Sequence, residues 1–170
     1  MNKIILNSLK LKTFTEQNAE DYCQINNINP DNIIELYLYN NELTDISGIR
    51  LLKNLKELDL GHNQIGDISV IQYLNKLKYL NIRNNKIKNI FFVKDLSNLQ
   101  SLGISYNKIK DISVIQSLNK LKKLSINNLE LELDQIQYIK SLKNLELLLC
   151  KDGFKNMFVL NQLNNIEIIK

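Results

Sequence analysis

His62 is the chain's single histidine, and Asp59 stands three residues before it. Those two types could form an acid–base couple, but no serine or cysteine is placed to serve as its nucleophile, so a catalytic triad is not supported. Aspartate recurs at 45, 67 and 111, with Asn89 in the same register. A metal site would need several oxygens converging on one point, whereas these come one per repeat. They read instead as acceptors for free backbone N–H groups where a helical turn starts. There is no G-x-x-x-x-G-K-[ST], paired C-x-x-C or H-E-x-x-H. The expectation is a non-enzyme with no catalytic, metal or cofactor site.

The other chemistry available is binding. Tyr37, Tyr39, Tyr79 and Tyr106 recur with Arg83, and tyrosine and arginine are the residue types enriched in interface hot spots. Glu35, Asp59, His62 and Lys123 occupy neighbouring positions of the same pattern. These nine residues are the candidate partner-binding set. Acidic residues (Glu35, Glu57, Asp59) precede basic ones (Lys123, Lys151), a drift that would orient a partner with complementary ends.

The elements that position these residues repeat. Asn41, Asn63, Asn85 and Asn107 follow one another at a step of 22 residues, each in an L-x-L-x-x-N-x-I/L frame. Leu36/Leu38, Leu58/Leu60, Leu80/Ile82, Leu102/Ile104 and Leu124/Ile126 alternate with exposed positions, a strand signal. Each is followed by apolar residues three apart, as at Ile46, Ile49 and Leu52, which suits one face of a 3₁₀ turn. The Asn column reads as structural: an inward amide offers two donors and an acceptor to backbone groups left over after each strand.

Residues 33–126 resemble the 22-residue, SDS22-like class of leucine-rich repeats, also found in internalin-type surface proteins. The motif is L-x-x-L-x-L-x-x-N-x-I-x-D-I-S-x-I/L-x-x-L. The resemblance implies an α/β solenoid: a curved parallel sheet on the concave face, short 3₁₀ or helical turns on the convex face, and a cap at each end. It also implies binding of a partner protein on the concave face in a scaffold or regulatory role, such as a phosphatase subunit. The internalin side of the family would make the chain a secreted adhesin.

The expected organisation is an N-terminal helical cap over 1–32, five repeats over 33–144, and an atypical last repeat with a C-terminal cap over 145–170. Seven strands are expected. Thr13-Phe14-Thr15-Glu16 matches a capping box, opening a helix over 14–26 that contacts the core through Tyr22, Cys23 and Ile25. The fifth repeat is irregular: Leu129 replaces the ladder Asn, and the next anchor, Leu145, follows Leu121 by 24 residues. Phe154, Met157, Phe158 and Leu160 carry helical spacing, predicting a closing helix.

The chain has 170 residues and a formal net charge of +4. That falls short of the basic footprint of a dedicated nucleic-acid binder. Lys86, Lys88, Lys108 and Lys110 nevertheless form a small basic edge, the alternative surface for nucleic acid. Cys23 and Cys150 fall at opposite ends of the array, too far apart for the ~4.4–6.8 Å Cα separation of a disulfide. With free thiols, no signal-peptide pattern at the start and no apolar run of ~18 residues, a cytoplasmic monomer away from membranes is expected.

Overall fold

A computed structural model describes residues 2–164 and 166–170. The L-x-L segments are extended: β2 (Glu35–Tyr37), β3 (Glu57–Asp59), β4 (Tyr79–Asn81), β5 (Ser101–Gly103), β6 (Lys123–Ser125) and β7 (Leu147–Leu149). β1 (Lys3–Ile5) precedes them and β8 (Glu167–Ile169) follows. All are parallel and lie in one eight-stranded sheet in chain order. The 22-residue step becomes the register: Leu36 sits beside Leu58, then Leu80, Leu102 and Leu124. Those central leucines are buried, and their neighbours on each strand emerge on the opposite, concave face.

The chain then turns inward. The residue before each ladder position takes a left-handed conformation: Asn40, His62, Asn84, Tyr106 and Asn128 have φ between 51° and 57°. Asparagine and histidine tolerate this region better than most residues; Tyr106 has no such preference. The following Asn satisfies the turn. In Asn63, Oδ1 accepts from the Leu43 N–H at 3.0 Å, while Nδ2 donates to the carbonyls of Leu38 and Leu60, also at 3.0 Å. Asn41, Asn85 and Asn107 make the same bridges. The expected ladder is therefore a set of staples between consecutive repeats.

On the convex side lie the 3₁₀ turns Ser47–Leu51, Ser69–Tyr73, Phe91–Asp95 and Ser113–Ser117. Asp45, Asp67, Asn89 and Asp111 each accept from the N–H two residues on, at 2.7–2.8 Å. Their side chains order the first residue of each turn, and Asn89 shows that charge is not required. The Ser113 N–H holds the Asp111 carboxyl below its usual range. The interior is one continuous core from Ile4 to Leu160 in which most leucines and isoleucines are fully buried.

The ends differ from expectation in four respects. The N-terminal segment holds a strand as well as a helix: β1 extends the sheet to eight strands, and Ile4 continues the leucine column. Helix α1 (Glu16–Ile25) is capped by Thr15 with Asn18, not by Thr13 with Glu16. Thr13 is already committed to a bridge with Asp45, where the Phe14 N–H donates to the Asp45 carbonyl at 2.8 Å. Ile25 is exposed, and Ala19 joins Cys23 in the core. At the other end, Met157–Gln162 is a 3₁₀ turn, and Phe154 is extended in a bridge with Leu131.

The fifth repeat accommodates its extra residues on the convex side, where a 3₁₀ turn, Leu133–Gln135, runs into a short helix, α2 (Ile136–Lys140). The buried Gln135 accepts from the Ile112 N–H at 3.0 Å, joining this repeat to the one before it. Among the described residues no helix is long and apolar enough to cross a membrane.

Candidate protein-binding face

Strand alternation carries the candidate residues to the concave face, where they form two groups. At the N-terminal end, the Tyr37 hydroxyl donates to Glu57 Oε2 at 2.5 Å and lies 3.3 Å from Glu35 Oε2. Lys3 pairs with Glu35 at 3.1 Å and sits 4.4 Å from the Tyr37 ring centroid. Burial, with Glu57 next, pushes the Tyr37 phenol well above its usual range, so it remains a proton donor. Lys3 was outside the candidate set, because it reaches Tyr37 only through the unexpected β1.

The second group is a stack across three repeats. The Tyr39 and His62 rings lie 5.0 Å apart, tilted by 58°. The Arg83 guanidinium lies 5.7 Å from the Tyr39 centroid, and its Nη2 is 3.4 Å from the Tyr39 hydroxyl. Gly61 makes room for it, since a Cβ there would come within 3.3 Å of Arg83 Cγ. His62 Nδ1 is 2.8 Å from Asn84 Nδ2 and accepts from it in the neutral tautomer protonated at Nε2. Burial, then the Arg83 cation, lowers the His62 pKa, while Asp59 opposes them. His62 is therefore more than a free surface residue.

Asp59 is held elsewhere: its Oδ1 accepts from the Gly61 N–H at 2.8 Å and from Asn81 Nδ2 at 3.0 Å. Asp59 and His62 thus each have a structural partner and do not orient one another as an acid–base couple. Tyr79 is half-buried, and desolvation followed by the Asp59 charge raises its pKa. Tyr106 and Lys123 are exposed and stand apart from the stack. Ser105, which alternation places on the free face, is buried; its hydroxyl is 2.6 Å from that of Ser125 and accepts from the Asn127 N–H.

Toward the C-terminal half the face dips into a hollow of about 210 Å³ over β4–β6, reached by Arg83 from one side and Lys123 from the other. The edge lysines lie on a separate surface. Lys86 bonds to Gln64 Oε1 at 3.0 Å and Lys110 to the Leu129 carbonyl at 3.2 Å. Among the described residues no three His, Cys, Asp or Glu side chains gather as a metal would require.

A family model described as leucine-rich repeats (2 copies) matches residues 31–73, 53–96 and 75–117. The chain belongs to the leucine-rich repeat family. Such repeats are generally non-enzymatic protein-interaction modules. Among solved structures, an internalin (inlF) from Listeria monocytogenes superposes with a TM-score of 0.81 at 23% identity, covering 99% of this chain and 46% of that one. The chain thus spans less than half the length of that internalin. Internalin C2 (inlC2) from the same organism gives 0.66 at 23% identity, covering 99% and 80%. A plant peptide hormone receptor, RGFR1, in complex with RGF2 gives 0.65 at 24%, covering 87% and 25%. At these identities the likeness is one of fold, an internalin-type leucine-rich repeat array. No curated protein matches the sequence.

Proposed function

We propose that this leucine-rich repeat chain is a non-catalytic scaffold or regulatory module that holds a partner protein on its concave face. The observation that carries the reading is the Tyr39–His62–Arg83 stack. Three side chains from three repeats, with Arg83 exposed, are held by mutual contacts on a face that the core does not use. Aromatic and arginine anchors ordered before binding lose little conformational freedom when a partner arrives. The Tyr37–Glu57–Glu35 group supplies a second, more acidic contact point. The free, buried thiols of Cys23 and Cys150 support work in a reducing compartment, and we place the chain there as a monomer.

The test is partner capture from native lysate by wild type and by a Tyr37→Ala, Tyr39→Ala, Arg83→Ala triple variant whose circular dichroism matches wild type. Loss of two or more hot-spot contacts is expected to weaken capture by ~30-fold or more. Equal capture by both proteins would rule out these anchors.

A further inference from the structure

We propose that the hollow between Arg83 and Lys123 seats a carboxylate, so that the partner presents an acidic peptide segment to the C-terminal half of the concave face. The inference rests on the concave-face reading above and specifies the partner's chemistry.

The acidic groups on β2 and β3 are already satisfied internally. Glu35 has Lys3, Glu57 has the Tyr37 hydroxyl, and Asp59 has the Gly61 N–H and Asn81. The two cations are not. Among the described residues, neither Arg83 nor Lys123 enters an ion pair, and the Arg83 guanidinium has only the Tyr39 ring and its long contact with the Tyr39 hydroxyl. Both line the same hollow, together with Tyr79, Ser101 and Ser125. Gly103 also lines it, and a Cβ there would come to 3.0 Å from Asn81 Oδ1. The missing side chain helps keep the hollow open.

Register sets the two cations at opposite corners. Lys123 pairs beside Ser101, which pairs beside Tyr79, whereas Arg83 lies two residues beyond Asn81. They are two strand spacings, ~9–10 Å, apart across the sheet and four residues, ~13 Å, apart along the strands, so both long side chains must extend over the hollow to share one carboxylate. A guanidinium takes a carboxylate through two parallel N–H bonds, and an ammonium adds a point charge. Hydroxyl-bearing neighbours offer further donors. Leu149 gives one wall apolar character that suits the methylenes of a glutamate. A nucleic-acid backbone would call for a row of cations, and the row this chain has, at the lysine edge, lies on a different surface.

The test uses the full chain and a fluorescein-labelled hexaglutamate peptide at low ionic strength. Binding should shift the Gly103 and Ser101 amide resonances. Affinity by fluorescence anisotropy should fall at least ~10-fold in Arg83→Gln/Lys123→Gln. It should hold within about twofold in the edge control Lys88→Gln/Lys108→Gln. No binding, or an equal loss in the edge control, overturns the proposal. A phosphoserine peptide held more tightly than hexaglutamate through the same two residues overturns the choice of carboxylate. The two readings separate in the capture assay. If a partner depends on Tyr37, Tyr39 and Arg83 but tolerates Lys123→Gln, the hollow is wrong and the concave face stands.

Discussion

The side-chain amide of Asn63 serves two repeats at once. Replacing it with alanine strands the Leu43 N–H inside the core, and takes one of two donors from each of the Leu38 and Leu60 carbonyls, which keep Asn41 and Asn85. A buried polar group left unmade costs ~1–3 kcal/mol, so Asn63→Ala should lose that much in urea unfolding. Asn63→Asp keeps the acceptor but turns a carboxylate oxygen toward two carbonyls, and should fare no better. A loss below ~1 kcal/mol would show that the ladder does not hold the stack together. His62 gives a cleaner electrostatic reading, because the chain has no other histidine. Burial first, then Arg83, disfavours its charged form in the fold. The unfolded chain therefore takes up the proton first as pH falls. The contribution is full above the ordinary imidazole pKa of ~6.5 and is lost as pH drops from there through the lowered folded pKa. An NMR titration should place the His62 midpoint below 6.5. Arg83→Gln should raise that midpoint and Asp59→Asn should lower it; reversed directions would refute the assigned causes.

Between elements, the decisive contact is where the N-terminal cap crosses the first convex turn. Gly48 donates its N–H to the Phe14 carbonyl at 2.8 Å, and an added Cβ would sit 2.3 Å from the Thr15 carbonyl oxygen. The clash is with backbone, so a side chain cannot swing away. Gly48→Ala should cost ~1–3 kcal/mol and loosen α1, read as faster amide exchange over residues 16–25 with β4 and β5 unchanged. Gly66→Ala is the control: no atom lies within 4 Å of its Cβ and its φ is not positive, so it should be neutral or stabilising by up to ~1 kcal/mol. These elements also show what the sequence made legible. L-x-L spacing located β2 to β7 because each frame carries its own leucines and turn. β1 was hidden because Lys3-Ile4-Ile5 lacks that frame, and its pairing with Glu35–Tyr37 is non-local. The sequence pointed to Thr13 as the cap; its non-local bridge with Asp45 claims it and leaves Thr15 to cap α1. In the candidate site, alternation found the tyrosines. It could not find their partners: Arg83 reaches Tyr39 across 44 residues, and Lys3 reaches Tyr37 from the unseen strand.

At the scale of the whole array, each repeat touches chiefly its neighbours, so stability accumulates as repeat terms plus interface terms. Interior repeats have two interfaces and end repeats one. The ends are not equal. At the N-terminal end α1 packs on the first convex turn, and the Thr13–Asp45 bridge ties the crossing. At the other end β8 pairs only with β7 among the described residues, and Ile169 and Phe158 are exposed. Opening should therefore begin at β8 and move inward, while the repeats carrying Tyr39, His62 and Arg83 stay closed. That placement keeps the stack ordered while the C-terminal edge breathes. Leu160→Ala removes a buried side chain from the last unit, a change worth ~2–5 kcal/mol in a packed core. Under native conditions it should lower amide protection in β7 and β8 and leave β3 to β5 as in wild type. A uniform drop across all strands would mean that the interfaces outweigh the repeats and the array opens as one unit; the face would then be only as rigid as its weakest end.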